Sequence, residues 1–269
     1  MATPFVKMHG LGNDFVVFDA RAHALPAMGD GLAARLADRH TGIGCDQLIV
    51  IEAAQNDGDA RMRIYNADGG EVEACGNASR CVAQLLGPSK VETAGGVIEM
   101  NPAGDGATVI LPAPRFDWDA IPLAYAMDTR DMPVGWDGLE APSAVNVGNP
   151  HVVFFVDDLE AVPLKTIGPQ IETDPLFPDR VNVNVAQIIG PDRIRLQVWE
   201  RGVGLTRACG TGACATAIAA MRRGHVGRTA TVEMAGGTLT IAWREDGAIA
   251  MTGPATTAFR GEVDLNAFA

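Results

Sequence analysis

The stretch ACGNASRCVAQLL at residues 74–86 returns in outline as ACGTGACATAIAAMRR at residues 208–223. Each copy opens Ala-Cys-Gly, adds a small polar residue (Asn77 or Thr211), and continues as a helical run stopped by Gly87 or Gly224. Working outward, the neighbours match as well. MRIYN at 62–66 resembles LQVWE at 196–200, and GNDFVVF at 12–18 resembles GNPHVVF at 148–154. VETAGG at 91–96 resembles VEMAGG at 232–237. The four matches come in one order, at nearly constant separation, as loop insertions between two related halves allow.

Between the copies, residues 113–143 are rich in Pro, Asp and Gly and lack steady periodicity, as a linker does. The chain therefore reads as two domains of related fold, 1–117 carrying Cys75 and 118–269 carrying Cys209. The sequence leaves open whether the last residues return to the first half. Alternating or short apolar runs predict strands at 15–19, 47–52, 60–66 and 106–111, and then at 151–156, 181–189, 193–200, 230–235, 238–243 and 248–252. Helices are predicted at 31–39, stopped by Gly42, at 77–86 and at 212–223. The class is α+β, with strands around one prominent helix in each half.

Composition narrows the function. The 269 residues are 47% hydrophobic, enough for a large core, and carry a formal net charge of −12. A nucleic-acid binder needs a basic face, so that class is unlikely on charge alone. The start, MATPFVKMHGLGNDF, has no apolar core of signal-peptide length, and no run is long enough to span a bilayer. The expectation is a soluble cytoplasmic protein without a membrane partner.

The five cysteines, Cys45, Cys75, Cys81, Cys209 and Cys214, are odd in number and form no CxxC pair. The five histidines form no close ligand pair either, so no metal site is expected. Cys81 and Cys214 fall inside apolar helix faces and read as core. Cys75 and Cys209 occupy matched positions just before the helices, after turns rich in glycine. A thiol there feels the positive end of the helix dipole, which favours thiolate. The free N–H groups of Gly76, Asn77, Gly210 and Thr211 form anion cradles.

Two such units on opposite sides of one cleft suit inversion of a stereocentre. One face must lose a proton while the other gains one, so two acid/base groups are needed. The helix starts would hold the α-carboxylate and stabilise the carbanion-like transition state. That chemistry points to an amino-acid epimerase.

Beyond the repeat, the segments MHGLGNDFVVFD, GIGCDQLIVIE, YNADGGEVEACGNASRC, GNPHVVFFV, RVNVNVAQII, WERGVGLTRACGTGACA and MTGPA resemble the blocks of the diaminopimelate epimerase family, in its order and across nearly the whole chain. The resemblance implies two pseudo-symmetric halves, each a β-sheet rolled around a central helix. It implies interconversion of L,L- and meso-diaminopimelate, a supply step for lysine and peptidoglycan, without pyridoxal phosphate or metal. The catalytic thiols then fall on Cys75 and Cys209, and the backbone donors on Gly76, Asn77, Gly210 and Thr211. Further substrate contacts fall on Asn13, Gln47, Asn66, Asn149, Asn182, Glu200 and Arg201. His151 and Glu200 fall where the family tunes the thiol pKa values. Ala78-Ser79 departs from the family's glycine and small residue after CGN. The family dimerises through a tyrosine near the C-terminus, where Phe259 stands here. The resemblance is thus compatible with a homodimer that lacks the hydroxyl contact.

Where the halves differ, recognition should lie. Asn13 pairs with Asn149, Gln47 with Asn182, and Asn66 with Glu200, but Arg201 has only Ala67 opposite. One guanidinium on one side suits a carboxylate at the far end of the substrate, with Glu200 placed for an ammonium. Racemases of proline, hydroxyproline or histidine on the same scaffold act on substrates with no such second end. His9 and His40 read as structural. Two alternatives outside this class stay open: a thiol redox sensor built on a Cys75–Cys209 disulfide, and a catalytically dead binding protein.

Overall fold

A computed structural model describes residues 2–29, 31–73 and 75–268. The chain divides into two compact units, Met1–Val109 with Thr252–Ala269, and Ile110–Met251.

In the first unit the strands are β1 (Ala2–Gly10), β2 (Asn13–Asp19), β3 (Gln47–Glu52), β4 (Ala60–Asn66), β5 (Glu71–Val72), β6 (Ser89–Thr93), β7 (Gly96–Ala103) and β8 (Gly106–Leu111), whose last two residues fall past the unit's limit at Val109. Its helices are α1 (Leu32–Ala37) and α2 (Gly76–Leu86). The second unit holds the short pair β9 (Gly135–Trp136) and β10 (Leu139–Glu140). It continues with β11 (Ser143–Asn146), β12 (Pro150–Phe155), β13 (Asn182–Gly190), β14 (Arg193–Glu200), β15 (Gly204–Thr206), β16 (Thr229–Met234), β17 (Gly237–Trp243) and β18 (Ile249–Pro254). Its helices are α3 (Leu164–Glu172) and α4 (Gly210–Arg223). The last strand, β19 (Thr256–Asp264), lies antiparallel to β1 in the first unit.

Strand pairing repeats from one unit to the other. In the first, β1 and β2 are antiparallel, β2 and β3 parallel, β3 and β4 antiparallel, and β4 then pairs with β5 and, in parallel, with β6. In the second, β11 to β16 repeat that order: antiparallel, parallel, antiparallel, then β14 with β15 and, in parallel, with β16. Parallel neighbours require a crossover, and α1 and α3 supply it at the same point of each unit. The hairpins β6–β7 and β16–β17 close the two series. The fold is α+β with two pseudo-symmetric halves.

The second helix of each unit is central. Among the strands, α4 packs against β11–β14, β16 and β17, and α2 packs chiefly on β1 and β7. Small residues permit this close wrapping: Gly212 through Ala220 of α4 are all buried. Gly224 ends α4 with a positive φ of 76°, where its N–H reaches the carbonyls of Ala220 and Met221. Arg222 and Arg223 lie in the last turn, at the negative end of the dipole.

Most predicted elements form within a residue or two of their expected bounds. The helix expected at 31–39 is shorter. It ends at Ala37 because Asp38 turns extended and its carboxylate accepts from the N–H groups of His40 and Thr41. Gly42 lies beyond the helix, where a Cβ would come within 2.3 Å of the Arg35 carbonyl oxygen. Helix α3 had no sequence signal, since Gly168 and Pro169 in its middle read as breakers. Strands β1, β5–β7, β9–β11 and β15 also went unforeseen, as did β19, most of whose side chains are exposed and carry no apolar alternation.

Gly168 has a packing reason. A Cβ there would sit 2.7 Å from the Trp199 ring, which lies against α3 with its Nε1 donating to Glu172 at 2.6 Å. Gly168→Ala should therefore destabilise the protein by about 1–3 kcal/mol, although alanine is the better helix former by about 1 kcal/mol. Urea denaturation measures this; a gain in stability would refute the packing account.

Candidate active site

Each central helix starts at a cysteine. Cys75 is the N-cap of α2, with extended backbone at φ −148° and ψ 112°; Cys209 is the N-cap of α4, at φ −132° and ψ 115°. The first turns place the N–H groups of Gly76 and Asn77, and of Gly210 and Thr211, where no carbonyl of their own helix can reach them. Neither cysteine is in a disulfide; Cys75 is half-buried and Cys209 buried.

In the first unit the Cys75 Sγ lies 3.8 Å from Asn13 Oδ1 as donor to it. Asn13 sits at the start of β2, just after Gly12, whose φ of 86° makes the turn. Its amide is held at both ends: Oδ1 accepts from Asn77 Nδ2 at 3.2 Å, and Nδ2 donates to Asp46 Oδ2 at 3.0 Å. Asn77 is itself oriented by Arg80, whose Nη2 donates to Asn77 Oδ1 at 2.6 Å. Arg80 is fully buried and also donates to the Pro254 carbonyl at 3.2 Å. Across β3 and β4, Gln47 faces Asn66 and donates to its Oδ1 at 2.9 Å. The Gln47 Oε1 is buried and has no donor among the described residues.

In the second unit Cys209 Sγ accepts from the Gly212 N–H at 3.3 Å and lies 3.5 Å from the Thr211 hydroxyl. Those contacts and the helix dipole favour thiolate, but they do not prevail here. Burial pushes the Cys209 thiol well up, and the neighbouring Glu200 carboxylate pushes it further; Thr211 and Gly212 offset part of this. The dipole argument drawn from sequence is thus overridden by desolvation at this thiol. Glu200 is held by the Thr206 hydroxyl at 2.5 Å. Arg201 is exposed, with Nη1 donating to the Asp179 carbonyl at 2.9 Å. Asn182, level with Glu200 in the β13–β14 register, accepts from the Arg201 N–H at 3.0 Å and donates to the Pro150 carbonyl at 2.8 Å.

His151 is fully buried on β12, and burial brings its pKa down to about 3. Its Nε2 lies 2.9 Å from Asn149 Oδ1, and its Nδ1 lies 3.1 Å from Asn184 Nδ2. The core cysteines behave as expected: Cys81 and Cys214 are buried, and burial pushes the Cys81 thiol up to about 12. Among the described residues no three His, Cys, Asp or Glu side chains gather as a metal site requires. No helix is long and apolar enough to cross a membrane.

The structure therefore gathers Asn13 and Asn77 around Cys75, pairs Gln47 with Asn66, and sets Glu200 and Thr211 beside Cys209. Sequence reasoning missed Arg80, Asp46, Asn184 and Thr206, which hold these residues in place. The signal for Arg80 and Asn184 was there: a charge on the apolar face of a helix, and an asparagine inside the apolar strand VNVNVA.

The family model described as diaminopimelate epimerase matches residues 5–113 and 143–258. The diaminopimelate epimerase of Erythrobacter litoralis (strain HTCC2594) is 66% identical over 265 residues, covering 98% of both chains. That of Sphingopyxis alaskensis is 60% identical over 269 residues, covering 100% of both. Among solved structures, a PhzF-family phenazine biosynthesis protein of Bacillus anthracis superposes with a TM-score of 0.68 at 14% identity, covering 98% of this chain and 99% of that one. A hydroxyproline epimerase from Agrobacterium vitis superposes at 0.67 with 17% identity, covering 97% and 91%. At such low identity these two similarities speak for the fold alone. With the family model spanning both halves and relatives this similar over the full length, the chain belongs to the diaminopimelate epimerase family.

Proposed function

We propose that Cys75 and Cys209 are the two proton-transfer groups with which this enzyme epimerises L,L-diaminopimelate to the meso form. The observation that carries the assignment is the matched placement of the thiols. In each unit a cysteine caps the central helix after the same strand order. Inversion needs a base on one face of the α-carbon and an acid on the other. In this reading the halves 1–117 and 118–269 supply one thiol each. The helix starts at Gly76-Asn77 and Gly210-Thr211 hold the reacting carboxylate and stabilise charge as the α-proton leaves.

The polar set around the thiols suits an amino acid with two zwitterionic ends. Gln47 Oε1 is a buried acceptor without a donor, as an ammonium requires. Arg201 offers an exposed guanidinium for a distal carboxylate, with Asn66, Asn149 and Asn182 as further contacts. Glu200 tunes Cys209 by its charge, holding the thiol protonated until substrate binds. The reaction uses no organic cofactor or metal in this reading, and we place it in the cytoplasm. A homodimer belongs to the same reading. Phe259 on β19 is half exposed and packs edge-on to Phe5, which leaves an apolar face for a second copy.

Proton NMR in heavy water is the direct assay, with reduced enzyme and L,L-diaminopimelate. The α-proton signal should vanish as the meso isomer appears; exchange of proline or hydroxyproline instead would overturn the substrate. Cys75→Ser and Cys209→Ser should each lower kcat by about 100- to 10,000-fold, and full turnover by either would exclude the two-thiol mechanism. Arg201→Ala should lower kcat/KM roughly 10- to 100-fold, and an unchanged value would remove Arg201 from the site. The pH–rate profile should be a bell reporting the thiol pair together. Its basic limb should lie above the range of an ordinary cysteine if Cys209 must stay protonated in the free enzyme, since burial and Glu200 both raise that thiol. Sedimentation should give a dimer that Phe259→Glu dissociates, whereas a monomeric wild type would refute the assembly.

A further inference from the structure

The pseudo-equivalent asparagines Asn13 and Asn149 are held differently. Asn13 has both ends of its amide engaged, by Asn77 and Asp46. Asn149 has only its oxygen engaged, by His151, and its Nδ2 meets no acceptor among the described residues.

The proton positions behind this follow from one backbone carbonyl. Asn184, fully buried, lies 3.0 Å from the Val152 carbonyl oxygen. A carbonyl can only accept, so the Asn184 atom facing it is Nδ2. The second hydrogen of that amide has His151 Nδ1 at 3.1 Å and the Asn182 carbonyl at 3.4 Å before it; a protonated Nδ1 would set N–H against N–H at the shorter distance, so Nδ1 presents its lone pair. A neutral ring then carries its proton on Nε2 and donates it to Asn149 Oδ1 at 2.9 Å. Burial without a carboxylate partner among these contacts keeps the ring neutral.

We propose that His151 and Asn184 are positioning residues: Asn184 locks the imidazole as an Nε2–H donor, and His151 thereby leaves the Asn149 amide nitrogen as a donor to a substrate carboxylate. Acting through Asn149, His151 contributes a fixed dipole to the site, not a titrating charge. The inference rests on the reading of Asn149 as a substrate contact. It explains why an asparagine stands inside the apolar strand β13, where a valine or isoleucine would pack without burying an amide. It also fixes Gly212, since a Cβ there would come 2.9 Å from Asn184 Oδ1.

Glutamine can place its amide N–H where the imidazole places Nε2–H, but it cannot act as an acid or base. In the full-length enzyme, His151→Gln should keep kcat/KM for diaminopimelate within about 5-fold of wild type, with an unchanged pH profile. His151→Leu and Asn184→Leu should lose roughly 10- to 100-fold, mostly through KM. If His151→Gln is as impaired as His151→Leu while both remain folded by circular dichroism, the ring's own acid–base chemistry is needed and the inference falls. Nitrogen-15 NMR of the wild-type imidazoles gives a readout independent of activity and of how the variants fold. A neutral Nε2–H form for His151 from pH 5.5 to 8.5 is expected; an Nδ1–H form or an imidazolium in that range would overturn the inference. Failure of the wild type to exchange the α-proton of diaminopimelate would instead sink the functional reading, while the NMR result still decides the tautomer.

Discussion

A helix that begins inside a protein must leave its first amide groups without carbonyl partners. Here both central helices begin at a cysteine, and the rest of each unit is arranged around that beginning. Small residues along α4 let the strands close on it, and Cys209 at its start is buried. Amide donors in a buried setting are worth more than in water, because little solvent competes for them. The same burial is costly to a thiolate, and at Cys209 the cost outweighs the dipole.

The supporting side chains differ between the units although the strand order does not. Around Cys75 the holding groups are charged: Asp46 and Arg80 grip the Asn13–Asn77 pair from its two ends. Around Asn149 they are neutral, a buried imidazole and a buried amide. Each arrangement fixes which way an asparagine presents its oxygen and nitrogen, a choice the asparagine itself leaves open. Duplication thus supplied two equivalent scaffolds, and divergence at these few positions gave them different polarity.

Rigid support is also spent on the turn after β14. Glu172, buried beneath it, accepts from the Gly202 N–H at 2.9 Å and from Trp199, while Asn182 accepts from the Arg201 N–H. This fixes the backbone that carries Glu200 and Arg201, and the Arg201 guanidinium reaches out to the Asp179 carbonyl. Gly168 belongs to the same support, since the indole that bonds Glu172 occupies the space its side chain would need.

The sequence by itself determined the two related halves, the central helices, about half of the strands and the cysteines that start the helices. These follow from local rules: apolar periodicity, glycine at turns and helix ends, and repeated spacing, all of which act between near neighbours. The asparagines and Gln47 were singled out by the family resemblance, and the repeat added only which of them stand at matched positions. Only the tertiary structure decided that β19 pairs with β1, that α3 tolerates Gly168 and Pro169, and that Arg80, Asp46, Thr206 and Asn184 stand behind the site. It also decided that the Cys209 thiol is raised rather than lowered. Each of these depends on what a residue meets from distant parts of the chain: a strand edge to pair with, an indole to pack against, a carbonyl to orient an amide, the loss of water around a thiol. No pattern of neighbours along the sequence carries that information.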